Sequence, residues 1–204
     1  MTFKAHYQEA YVWIWLPNAI KPVVAGILTR DKEQLFFNYG KSYLNRSDAI
    51  SIYDPELPLQ AGFLPVTLGL NMPNSIRDAS PDAWGRRVLM NKSLSVAGKR
   101  GETPHHDELM YLLESGSDRI GALDFQLSSS SYVDRGFPFA TLEELQKSAE
   151  RVENGVPLSF ELDQALFHGT SLGGGPTKGV YRIGRQKIYC EVFLNFRYVQ
   201  YYQT

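Results

Sequence analysis

Only one cysteine, Cys190, stands in the 204 residues, so no disulfide can close within the chain. An excess of charge of either sign is missing too: 21 Lys and Arg face 22 Asp and Glu, for a formal net charge of -1. Such a balance supplies no general attraction for nucleic acid or an anionic membrane and leaves only a local basic patch as a route to either. No apolar run approaches the roughly 20 residues that a membrane-spanning helix needs. The first residues, "MTFKAHYQEAYVWIWLP", have neither the charged start nor the small-residue cleavage site of a secretory signal. These absences together lead us to expect a cytoplasmic protein that uses no membrane and no direct nucleic-acid contact. With 43% apolar and 21% charged residues, the composition is that of an ordinary globular chain, long enough for one good core or two small ones.

The N-terminal part is punctuated like a β-meander. An apolar and aromatic run, Tyr11 to Leu16, ends at Pro17-Asn18; a β-branched run follows from Pro22 to Leu28; "TRDKEQ" then turns into "LFFNYG". Short extended pieces are expected to continue through "ISIYD" and "FLPVTLGLN", giving a β-rich module over residues 6–72. Helical signals come next. In "DASPDAWGRRVL", Ser80 is placed to cap a helix, with Pro81 in its first position, Asp82 at the positive end of the dipole, and Trp84 and Val88 on one face. "TPHHDELMYLLESG" repeats the arrangement with Thr103 and Pro104, turns Leu109, Leu112 and Leu113 inward and ends at Gly116. "DRIGALDFQL" has the pattern of a strand, and "SSSSYVDRG" that of a solvated connection. Thr141 and Glu144 form a capping box before "LEELQKSAERV", and Leu158, Leu162 and Leu166 recur at helical spacing.

Several residues invite a chemical reading. The run "TSLGGGPTKG" (170–179) has glycines that let backbone N–H groups point at phosphate oxygens, with Lys178 to add charge. It matches neither the Gly-Lys-Ser/Thr ending of a Walker loop nor the kinase G-x-G-x-x-G, so by spacing alone a structural turn and a phosphate loop both remain open. His105-His106-Asp107 has no second cluster at metal-ligand spacing. Asp78 and Asp82 sit where a helix start wants carboxylates, which competes with an acid/base role. Arg86 and Arg87 can bind an anion or pair with Asp78, Asp82 or Asp118, and nothing near Cys190 would activate it as a nucleophile.

Three segments taken in order, "RDASPDAWGRRVL" (77–89), "DRIGALDFQ" (118–126) and "HGTSLGGGPTK" (168–178), resemble the N-terminal half of the HipA family, the serine/threonine kinase toxins of bacterial toxin–antitoxin modules. The resemblance spans residues 6–178. It implies a β-rich N-subdomain ahead of a kinase-like core, with a loop of the form S-L-G-G-A-R-P-K over the ATP phosphates. Ser171, Leu172, Gly173, Gly174 and Lys178 fit that loop. The resemblance thus implies ATP with magnesium as cofactors of the intact parent, Gly173, Gly174 and Lys178 as its nucleotide contacts here, and Ser171 as an autophosphorylation site. It also implies a DNA-binding antitoxin of the HipB type as partner and a protein serine or threonine, of unknown identity, as substrate.

The departures from that family begin at Gly175-Pro176-Thr177, which replaces A-R-P. The ATP-contacting lysine of the next strand and the catalytic and metal-binding aspartates have no counterparts after Lys178, so no catalytic or metal residue is assigned in this chain. Written as GGN-CCN-ACN-AAR-GGN and shifted by one nucleotide, the codons of "GPTKG" permit A-R-P-K and, with the next codon, A. The same frame continued through the tail permits a β-hairpin carrying I-A-K-F, where the family's ATP lysine would lie. We therefore expect a frameshift near Gly173 to Gly175, natural or introduced in sequencing. The expected fold is α+β: a HipA-like N-subdomain (6–72), an α+β segment leading into an incomplete kinase-like N-lobe (73–179), and an out-of-frame tail (180–204) that packs poorly and exposes its tyrosines and phenylalanines. Two functions are compatible with this: an inactive front part of a kinase toxin, or a non-catalytic module that regulates one.

Overall fold

A computed structural model describes residues 7–98, 106–117, 119, 121–135, 147, 150, 151, 154, 156, 178–183, 186–192 and 199–203, the last three stretches by their backbone. The meander forms as its punctuation predicts. Strands β1 (Glu9–Ile14), β2 (Val23–Asp31) and β3 (Gln34–Tyr39) pair antiparallel in sequence order, the β2–β3 turn passing through Lys32 at φ 53°. The fourth strand comes from far along the chain. β4 (Leu123–Gln126) pairs antiparallel with β1, Val12 opposite Phe125, so the sheet order is β3-β2-β1-β4.

Alternation assigns one sheet face to the core: Ala10, Val12 and Ile14 on β1, Leu28 on β2, Leu35, Phe37 and Tyr39 on β3, and Phe125 on β4, all buried. Four helices cover that face or its margins: α1 (Lys41–Leu44), α2 (Asn74–Arg77), α3 (Ala83–Gly98) and α4 (Glu108–Glu114). They contribute Tyr43, Ile76, Leu89, Leu109 and Leu112, each at most 1% exposed, to a cluster that runs from Tyr7 to Phe125. This core crosses residue 72 without a break. The architecture is α+β.

Several local expectations are corrected. "ISIYD" and "FLPVTLGLN" form no strands; only an isolated bridge, Tyr53 to Leu57, appears there. Pro55, Pro58 and Pro65 lack the N–H a ladder needs, and Gly62 and Gly69 adopt φ of 96° and 86°. The same stretch still covers the outer edge of β3, where Leu64 N–H donates to Phe37 O (3.1 Å) and Leu35 N–H to Asn71 O (2.7 Å). The cap of α3 is Asp82, whose Oδ1 accepts Gly85 N–H at 2.8 Å, and not Ser80. The cap of α4 is Asp107, accepting Met110 N–H at 2.8 Å, and not Thr103, since His106 and Asp107 are non-helical. In both cases an aspartate nearer the apolar run is in reach of the free N–H groups, and its carboxylate also favours the dipole. Leu109, Leu112 and Leu113 do point inward, and Gly116, just past the C-cap Ser115, takes φ 76°.

Lys147, Glu150 and Arg151 are helical, in keeping with "LEELQKSAERV", while Thr141, Glu144 and the leucines at 158, 162 and 166 lie outside the described residues. From Lys178 the backbone forms a second antiparallel meander, β5 (Lys178–Ile183), β6 (Gln186–Val192) and β7 (Val199–Gln203). The exposure expected of its aromatic side chains lies outside what is described.

Candidate functional site

Asp124 has the sequence position of an outward-facing side chain on β4, yet its side chain is fully buried. Five donors converge on it. Oδ1 accepts from Phe125 N–H (2.7 Å), Arg135 Nη2 (3.0 Å) and Arg119 Nε (3.3 Å); Oδ2 accepts from Ser117 Oγ (2.7 Å) and Gln126 Nε2 (3.1 Å). Burial by itself opposes ionisation of this carboxyl, but Arg135, Arg119 and the hydrogen bonds outweigh it and hold Asp124 below the ordinary carboxylate range. Burial pushes the Arg119 guanidinium down to about 10, with Asp124 acting against that shift, so the group remains a cation at neutral pH.

Arg119 also fixes chain geometry. Its Nη1 donates to Ala79 O at 2.8 Å and its Nη2 to Leu112 O, while the guanidinium lies 5.3 Å from the Phe125 ring. One side chain thereby ties β4 to the end of α4 and to the segment between α2 and α3. The segments 77–89 and 118–126, far apart in sequence, meet through this contact. A second tie joins α3 to α4: Arg86 binds Glu108 through two bonds of 2.8 Å and lies 4.6 Å over the Tyr111 ring. Arg86 is thus an ion-pairing residue, with the Glu108 carboxylate as its partner.

Where those segments meet, a cleft of about 730 Å³ opens. One wall is Gly121, Ala122 and Leu123 with Ile14; another is Asn74, Ser75, Asp78 and Ala79; the third is the loop 50–56. Two buried tyrosines hold that loop in place. Tyr39 OH donates to Leu57 O (2.8 Å) and accepts Ile52 N–H (2.8 Å), and Tyr43 OH donates to Ile50 O (2.8 Å). Burial pushes the Tyr39 phenol up to about 12, against the lowering effect of the Ile52 N–H. Glu56 faces the cleft but is spent on structure, accepting Asn74 N–H, Ser75 N–H and Ser75 Oγ at 2.6–2.8 Å and so capping α2 from outside the helix. Those bonds overcome the burial that opposes its ionisation and keep Glu56 below its usual pKa. Asp78 is exposed, and no described side chain pairs with its carboxylate.

The residues named from the sequence are distributed differently. Ser171, Gly173 and Gly174 lie outside the described residues; Lys178 opens β5, its backbone opposite Glu191. His105 is outside too, whereas His106 Nε2 contacts Ser93 Oγ, which donates to Met90 O, and Asp107 pairs with Arg30 at 2.7 Å as well as capping α4. Cys190 stands in β6 opposite Gly179 and Tyr201. Among the described residues no group of three His, Cys, Asp or Glu side chains could hold a metal ion, and no helix is long and apolar enough to cross a membrane. Sequence reasoning missed the Asp124 network and the role of Glu56. A charged residue inside the apolar run "GALDF" was the one available signal for the first.

The family model of the HipA N-terminal domain matches residues 16–126. The chain belongs to this family. The HipA N-terminal domain match takes in both contacting segments, the Arg119–Asp124 pair and every lining residue of the cleft except Ile14, and it ends at Gln126, before the glycine run. No curated protein matches the chain.

Proposed function

We propose that the chain is the N-terminal portion of a HipA-like serine/threonine-protein kinase toxin and is itself catalytically inactive. The observation that carries this reading is the match to the HipA N-terminal domain over residues 16–126, followed at 171–178 by S-L-G-G-x-x-x-K in the family's order. In the intact parent, the amides of Gly173 and Gly174 and the charge of Lys178 would contact the phosphates of ATP. Magnesium-ATP would supply the phosphoryl group, and a protein serine or threonine would accept it. Ser171 would be the autophosphorylation site, and a DNA-binding antitoxin of the HipB type the restraining partner. Residues 180–204 are an out-of-frame tail, because a one-nucleotide shift ahead of them permits A-R-P-K-A in place of G-P-T-K-G. Sequencing the DNA from the Ser171 codon onward tests this. An inserted or missing base that opens a frame with the downstream aspartates is the expected result; an intact frame with no kinase sequence in any other would sink the kinase reading. Transfer of labelled γ-phosphate by the purified 204-residue chain would overturn its inactivity.

A second reading has its own support. One core spans Tyr7 to Phe125, nearly the same residues as the family match, so this part has the makings of a self-standing binding module that regulates a HipA-like kinase. Co-expression with a full-length kinase and a pull-down separates the two, absence of any complex counting against the module.

A further inference from the structure

The cleft is bounded by β4, an edge strand of the four-stranded sheet. Trp15 N–H donates to Ala122 O at 2.9 Å, and with Ile14 opposite Leu123 this register directs the N–H and C=O of Leu123 and Phe125 away from β1. At Phe125 both outward groups are already engaged: the N–H donates to Asp124 Oδ1 at 2.7 Å and the C=O accepts from Arg135 Nη2 at 2.6 Å. At Leu123 no described residue takes up either group. Among the described residues the sheet edge is therefore blocked at one step and unpaired at the next, and the unpaired step is the one that lines the cleft.

The rest of the lining suits a particular occupant. Ile14, Ile52, Pro55 and Ala79 make the walls mostly apolar, and among the described residues the lining contains no Lys or Arg. With Glu56 occupied by the start of α2, Asp78 is the carboxylate left facing outward. We propose that this cleft receives an extended segment of a protein partner, pairing its backbone with Leu123 and setting a basic side chain against Asp78. Main-chain pairing at a sheet edge with side-chain pockets beside it is a general mode of peptide recognition, and the exposed Asp78 carboxylate, with the ionised Glu56 behind it, selects the sign of the incoming residue. With few main-chain bonds and an exposed ion pair, the complex is transient. The proposal makes no use of the glycine run and stands whether or not the parent is a kinase.

The test uses the full 204-residue chain, labelled with nitrogen-15, and two pools of blocked pentapeptides. Both pools carry Val, Ile, Thr or Ala at the flanking positions; one has Lys at the centre and the other Glu. The Lys pool is expected to shift the amide signals of Ile52, Asp78, Gly121 and Leu123, and the Glu pool to bind about tenfold more weakly, as attraction replaced by repulsion at a solvated pair implies. Asp78→Asn should remove most of that discrimination without altering the unfolding midpoint. N-methylation of the central peptide nitrogen should weaken the Lys pool, since it deletes a main-chain donor. Absence of shifts at millimolar Lys pool, shifts confined to another surface, or equal binding of the two pools would each overturn the proposal.

Discussion

Asp124 shows how much one residue's environment depends on chain brought from elsewhere. Along β4 it points to the face opposite the core, where a charged side chain is ordinarily solvated. Here residues 128–135 fold across that face, with Trp13 Nε1 donating to Ser128 O at 3.0 Å and Tyr132 meeting both Trp13 and Trp15 at 5.3 Å between ring centroids. Asp124→Ala leaves the Arg119 cation buried without its counter-charge and should cost about 3–5 kcal/mol in urea unfolding. A loss under about 1 kcal/mol, the range of exposed pairs, would show the network to be solvated instead. Its folded pKa lies below the unfolded value, so its stabilisation is present above the unfolded pKa and disappears as pH falls through the folded one. An acid limb of the stability curve below about pH 4 should therefore flatten in Asp124→Asn. Gly26 is the second residue with a sharp requirement. A Cβ there would stand 2.2 Å from Asn38 O and 2.8 Å from the Phe37 ring, beside the irregularity in the β1–β2 register, so Gly26→Ala should destabilise by about 1–3 kcal/mol. Neither effect is written in the local pattern, because both depend on atoms that only pairing and folding bring close.

Elements were legible where their signal is periodic and obscure where it depends on a single cap or bridge. The β1–β3 meander and the inward leucines of α4 follow from alternation and helical spacing. The helix starts were misplaced because Ser80 and Thr103 carry the same generic signal as the aspartates that do the capping. Asp82→Ala should lose about 1 kcal/mol of thermal or urea stability, and Ser80→Ala, whose hydroxyl only grazes Glu108 at 3.5 Å, should lose less than about 0.5 kcal/mol. Equal losses would return the cap to Ser80. The cleft wall at 50–56 is an element of a different kind, with no regular backbone pattern and two tyrosine hydroxyls as its anchors. Tyr39→Phe should strand the Ile52 N–H and lower stability by about 1–3 kcal/mol. The Tyr39 phenol titrates near 12 when folded and nearer 10 when unfolded, so its contribution is complete below about pH 10 and is lost as pH rises towards about 12. Absorbance titration of wild type against Tyr39→Phe should therefore show one phenol ionising late, and the variant should lose less stability over that interval.

For the molecule as a whole, a core that includes both β3 and β4 predicts one cooperative unit. Amide exchange in β1–β3 and in β4 with α4 should report the same opening free energy, because Val12 lies opposite both Gly26 and Phe125. If β4 and α4 opened at a distinctly lower energy, residue 72 would mark a real boundary. The sequence by itself determined the α+β composition, the meander, the helical faces and the likeness to the HipA family. Those depend on residue spacing and motif order, which are properties of neighbours along the chain. The tertiary structure alone decided that β4 joins β1, that Arg119 ties two distant motifs together, and that a cleft bounded by an edge strand lies between them. These contacts join residues up to 115 positions apart, as Trp13 and Ser128 are, and their energies come from burial and convergent hydrogen bonds that exist only once the chain has closed on itself.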